Sequence, residues 1–247
     1  ILIVLDKSVT IPEFKLNMTN LKLNNVLKME SFKTFARTQI GRSHVKLQYN
    51  CQDYSFQYRD DDKIILIVAD GVGGIPFSEC SAILESFSIV SLLQNRTPLD
   101  LNNKKVINHL ITEQLKVVKQ NVKNTIMSDY VYNSLYGNTL IVCTLTKDVC
   151  NIYAKGDGYY GVNGEIKEVI KNREFVADCV IQHQLEISTD SVDSVAIATD
   201  GLRFFPNKTI QFSTENIKLN LSSMDRIISN CKDNLEDDLG IGIISRV

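Results

Sequence analysis

With 247 residues, 44% of them hydrophobic and 23% charged, the chain has the composition of one globular domain able to bury a core. A formal net charge of −2 leaves no basic footprint and argues against nucleic acid as partner, and no apolar run approaches the roughly 20 residues that a membrane-spanning helix needs. The six cysteines (Cys51, Cys80, Cys143, Cys150, Cys179, Cys231) are scattered without a Cys-x-x-Cys pair, which suits buried thiols in a reducing, cytoplasmic compartment better than a disulfide framework.

Ile1 to Leu5 is apolar but too short for a signal-peptide core, and residues 1–30 are set apart as an N-terminal extension to a single domain spanning 31–247. Strands are predicted over 32–40 and 54–59, and a fully buried one over 63–69. Ile83, Leu84, Phe87, Val90 and Leu93 recur at helical spacing and predict a helix over 77–94; Val106, Leu110, Leu115, Val118 and Val122 predict a second over 103–127, with Pro98 and its polar neighbours as the break. Short apolar runs then predict strands at 140–145, 149–154, 159–162 and 166–170, with Asn163-Gly164 as a type I′ hairpin signal between the last two. A strand over 195–199, a helix over 222–233 and a strand over 239–244 complete the chain. Strands and helices do not alternate, so the fold class is α+β, with antiparallel sheets covered by helices.

Four aspartates stand where apolar runs begin or end. Asp53 closes Cys51-Gln52-Asp53; Asp70 ends a buried run and opens Asp70-Gly71-Val72-Gly73-Gly74; Asp200 ends another and opens Asp200-Gly201; Asp237 precedes the last strand. A buried strand ending in Asp-Gly delivers a carboxylate to a sheet rim, and the glycine lets the backbone carbonyl approach a cation as well. Hard oxygen donors of this kind suit Mg²⁺ or Mn²⁺.

In order, Cys51-Gln52-Asp53, Asp70 to Gly74, Gly137-Asn138-Thr139, Lys155-Gly156-Asp157-Gly158, Thr199-Asp200-Gly201-Leu202 and Asp237-Asp238-Leu239-Gly240 resemble the marks of the metal-dependent serine/threonine protein phosphatases of type 2C, in compact, bacterial-type form. The resemblance implies a four-layer α/β/β/α sandwich of two stacked antiparallel sheets. It implies hydrolysis of phosphoserine and phosphothreonine in proteins by a water bridging two Mn²⁺ or Mg²⁺ ions. Asp70 would bridge both ions, the Gly71 carbonyl would add a ligand, Asp200 and Asp237 would complete a shell, and Asp53 would hold metal-bound water or an ion from the opposite side. Asp238 then falls where the family often has Asn, so Asp238→Asn should matter less than Asp237→Asn. Asp157 matches a position that helps hold a weaker, further ion. Relatives often place another acid four residues after the counterpart of Asp200, and here that residue is Phe204; a third ion is expected to be weak or absent, with Glu174 or Asp178 as substitute ligands.

The family often has an arginine five residues before the counterpart of Asp53, and this chain has Gln48 there. An insertion after Gly41-Arg42-Ser43-His44 puts His44 in its place, as a donor to phosphate or a general acid, with Arg42 as the alternative contact. His109 and His183 read as structural. Only 158–199 separates the Asp157 turn from Asp200, which implies a short flap and an open cleft. The expected partners are phosphorylated proteins and an opposing kinase, with no nucleic acid or membrane, and a monomeric state. Two other readings stay open: a weak or inactive regulatory module that keeps the fold, and a phosphatase for a small phosphorylated molecule. No Gly-x-Ser-x-Gly elbow and no nucleotide phosphate loop are present.

Overall fold

The structure is a computed structural model that describes residues 29–73, 77–125, 137–169, 180–204, 221–231 and 233–247. Its strands are β1 (Phe32–Gln39), β2 (Asp53–Arg59), β3 (Lys63–Gly71), β4 (Asn138–Thr146), β5 (Val149–Lys155), β6 (Tyr159–Val162), β7 (Glu165–Glu168), β8 (Gln182–Ser188), β9 (Ser194–Ala198) and β10 (Leu239–Arg246). Its helices are α1 (Arg42–Leu47), α2 (Ser78–Gln94), α3 (Pro98–Asn102), α4 (Lys104–Thr125) and α5 (Leu221–Cys231). Two five-stranded sheets form, in the orders β1-β10-β9-β6-β7 and β2-β3-β4-β5-β8. Every pairing in both is antiparallel.

The apolar residues divide as a layered sandwich requires. Along β3, Ile64, Leu66 and Val68 enter the core between the sheets with Phe32, Val195, Ile197 and Ile244. Alternate residues Ile65, Ile67 and Ala69 face Ile89, Leu93, Ile107 and Ile111 of α2 and α4. A strand buried on both faces has no polar alternation, and for that reason reads as one continuous apolar run. On the outer face of the first sheet, Ala196, Ala198, Ile241 and Ile243 pack with Met224 and Ile228 of α5. The order is helices, sheet, sheet, helix: the four-layer sandwich expected. Met29 lies in the central core ahead of β1, while residues 1–28 fall outside the described residues.

Asn163 and Gly164 both take positive φ, 51° and 91°, as a type I′ turn demands. Three elements were not predicted. Pro98, read as a break, is the first residue of α3, where Thr97 and Asp100 form a reciprocal capping box. The six residues of α1 are too few to show a helical period. Strand β8, Gln-His-Gln-Leu-Glu-Ile-Ser, is a half-exposed edge strand paired with β5, and its polar residues hide it. The stretch expected to carry a flap is largely β6, β7, β8 and β9; residues 170–179, with Glu174 and Asp178, lie outside the described residues. Among the described residues no helix is long and apolar enough to cross a membrane.

Candidate active site

Strand ends of both sheets meet at one end of the sandwich. In the second sheet Asp53 opens β2 directly opposite Asp70 near the end of β3, and Asp70 is opposite Thr139 in β4. Asp157 lies in the turn between β5 and β6 on the same rim. In the first sheet, Asp200 opens a 3-10 turn that follows β9, and Asp237 comes two residues before β10.

Asp53 is buried and held from the opposite sheet. Its Oδ2 accepts the Thr199 hydroxyl proton and, at 2.8 Å, the Gly240 N–H. Burial, opposed by the hydrogen bonds from Thr199 and Asp70, pushes its carboxyl up to about 7. Asp70 is held well above the carboxylate range, first by burial and then by the charges of Asp53, Asp200 and Asp237 and a hydrogen bond with Asp53. The structure thus brings Asp53, Asp70, Asp200 and Asp237 within electrostatic reach of one another.

Asp237 and Asp238 point different ways. Asp238 is 2% exposed. It accepts the Gly41 N–H at 2.7 Å, the Gln52 N–H and, at 2.7 Å, His44 Nδ1. Asp237 is 41% exposed and faces Arg203 Nη2 at 3.8 Å. The pair is clamped between two glycines: a Cβ at Gly41 would lie 2.2 Å from the Asp237 carbonyl carbon, and one at Gly201 would lie 1.7 Å from the Asp238 carbonyl oxygen. Only residues without a side chain allow that approach.

Of the cations nearby, Lys155 is 3% exposed and tied to Glu85 at 2.7 Å and to Asn138 Oδ1 at 2.9 Å. Arg42 pairs with Glu236 at the surface. Arg203 bonds Asp200 Oδ2 at 2.8 Å, and its guanidinium stacks 4.8 Å from the centroid of Phe204. Gln48 adopts the left-handed conformation that ends α1. His183 bonds Asn151 Oδ1 at 3.0 Å and packs edge-on against Tyr153, a structural placement, while His109 is exposed on α4.

The donor set is all hard oxygen, which fits Mg²⁺ or Mn²⁺ in kind. Among the described residues, however, no three acidic, histidine or cysteine side chains converge as a ready-made cation cage. Sequence reasoning passed over the shell behind these acids. Nothing local in sequence links Asp238 to His44 across 194 positions, or Arg203 to Asp237.

A family model described as Protein phosphatase 2C matches residues 40–236. The chain belongs to the protein phosphatase 2C family. It is therefore a serine/threonine protein phosphatase domain, a hydrolase. No curated protein matches it in sequence. Among solved structures, the S. agalactiae serine/threonine phosphatase is 14% identical, with a TM-score of 0.66 over 87% of this chain and 100% of that one. Stp1 of Staphylococcus aureus is 13% identical, with a TM-score of 0.65 over 93% and 98%. The catalytic domain of PstP, in complex with two manganese ions, is 17% identical, with a TM-score of 0.64 over 87% and 98%. At these identities the likeness is one of fold, and the type 2C sandwich is the fold shared.

Proposed function

We propose that this type 2C domain removes phosphate from phosphoserine and phosphothreonine in proteins, opposing a protein kinase, with two Mn²⁺ or Mg²⁺ ions held by Asp53, Asp70, the Gly71 carbonyl, Asp200 and Asp237. The observation that carries this reading is the set of carboxylates from both sheets whose charges press on buried Asp70. Such a set is unfavourable without a cation. The two manganese ions of the PstP structure support the same choice. When bound, the ions would supply Lewis-acid chemistry, acidifying water and offsetting charge on the phosphoryl oxygens.

The chain's own residues do the rest. Asp70 presents its carboxylate from the end of a rigid, doubly buried strand, and Asp53 is fixed opposite by Thr199 and Gly240. Asp238 accepts from His44 Nδ1 and so orients the ring; in its imidazolium form the other nitrogen, Nε2, would donate to a phosphoryl or leaving-group oxygen. Asp157, on the rim turn, is assigned to a third ion of low occupancy.

Purified protein should release phosphate from a phosphothreonine peptide only with Mn²⁺ or Mg²⁺, and chelation should abolish the reaction. Turnover that survives chelation would overturn the reading. The alternative of a non-catalytic regulatory module is favoured by Gln48, which stands where relatives often carry an arginine. Absence of turnover at every metal concentration would decide for it.

A further inference from the structure

We infer that Arg203 is the phosphate-binding cation of this site, and that in the ion-free protein it is the internal counter-ion of Asp200 and Asp237, released toward the phosphoryl oxygens when those carboxylates take up divalent ions. The inference rests on the metal-dependent reading above.

A dianionic phosphoryl group entering a rim of aspartates needs a donor with fixed positive charge, and a guanidinium offers a planar fork that matches two phosphoryl oxygens. Among the described residues, the other cations of the rim are committed elsewhere. Lys155 is buried against Glu85 and Asn138, Arg42 reaches out to Glu236, and the neutral Gln48 ends a helix. Arg203 differs in that both of its carboxylate partners belong to the acidic centre, at 2.8 Å and 3.8 Å.

Those two contacts are poised for exchange. Arg203 is 45% exposed, and its partners Asp237 and Asp200 are 41% and 20% exposed. Ion pairs so open to water are weak, and a divalent cation outcompetes a monovalent one for the same oxygens. Loss of the carboxylates would not send the side chain adrift, because the Phe204 ring lies under the guanidinium at 4.8 Å and holds a cation by its face. The five-residue turn Asp200–Phe204 therefore carries a carboxylate, a guanidinium and its aromatic rest together.

The test compares full-length wild type, Arg203→Ala and Arg203→Lys. Mn²⁺ affinity is measured on the ion-free proteins by calorimetry or by the paramagnetic resonance of free Mn²⁺. Inorganic phosphate is then titrated at saturating Mn²⁺. In Arg203→Ala, Mn²⁺ should bind about threefold to tenfold more tightly, since no exposed ion pairs need breaking, while phosphate binds about tenfold more weakly. Arg203→Lys should keep much of the competition yet lose the fork, giving near wild-type Mn²⁺ affinity with weakened phosphate binding. A scaffolding residue would lower both affinities together, and that result overturns the inference, as does an Arg203→Ala protein unchanged in both. Failure of wild type to bind Mn²⁺ would overturn it along with the functional reading. Wild type that binds Mn²⁺ but releases no phosphate from peptides would sink the functional reading alone, with the two titrations still deciding Arg203.

Discussion

Asp238 is buried and accepts three hydrogen bonds, whereas its neighbour Asp237 is 41% exposed and, among the described residues, has Arg203 as its ion partner. An amide at position 238 offers one acceptor oxygen where three donors converge. Asp238→Asn should therefore cost about 1–3 kcal/mol, read by denaturant unfolding, because buried donors are left unmatched. Asp237→Asn should leave stability near wild type and weaken Mn²⁺ binding. The family register alone implied a lesser effect for Asp238; its contacts show why the two substitutions separate by readout instead. Asp70 gives a sharper case. Its hydrogen bond with Asp53 needs a shared proton, which an amide replaces with a permanent donor. Asp70→Asn should remove most turnover yet raise the melting temperature of the chelated protein at pH 8, where the native pair is most strained by charge. A melting temperature equal to or below wild type there would contradict this account.

The elements most legible in sequence are those whose burial is uniform or alternates cleanly. Strand β3 is continuous apolar sequence because helices and sheet cover its two faces, and the Asn163-Gly164 hairpin is set by local backbone preference. What sequence hides is tertiary. Strand β8 is stabilised by its pairing with β5, and α1 by the approach of its start to the 235–238 segment, where Arg42 N–H bonds the Leu235 carbonyl at 2.7 Å. The acidic centre was legible because each carboxylate ends or opens an apolar run. The buried Lys155–Glu85 pair was not, since its partners come from β5 and α2, 70 positions apart. Breaking that pair one side at a time leaves a charge in the core. Glu85→Ala should cost about 3–5 kcal/mol, and Glu85→Met combined with Lys155→Met much less than twice that. Gly201→Ala, with no room against the Asp238 carbonyl, should lower both stability and Mn²⁺ affinity.

At the scale of the whole molecule, the raised carboxyls make stability depend on pH. A native carboxyl raised above its unfolded value, about 3.9, stabilises fully below that value and stops doing so as pH rises through the native one, about 7 for Asp53. The chelated protein should lose melting temperature between about pH 4 and 7 by more than Asp70→Asn does, and Mn²⁺ should shrink the difference by competing with protons. Parallel pH curves for the two chelated proteins would refute this. A mechanical consequence follows from the way Asp53 is held. It belongs to one sheet, while Thr199 and the Gly240 N–H that grip it belong to the margin of the other. The acidic end is thus also a seam, and whatever neutralises it works as a stitch. Withdrawing divalent ions should let the seam gape: the Gly240 amide and its neighbours in β10 should exchange hydrogen faster, while the far ends of the same strands keep their protection.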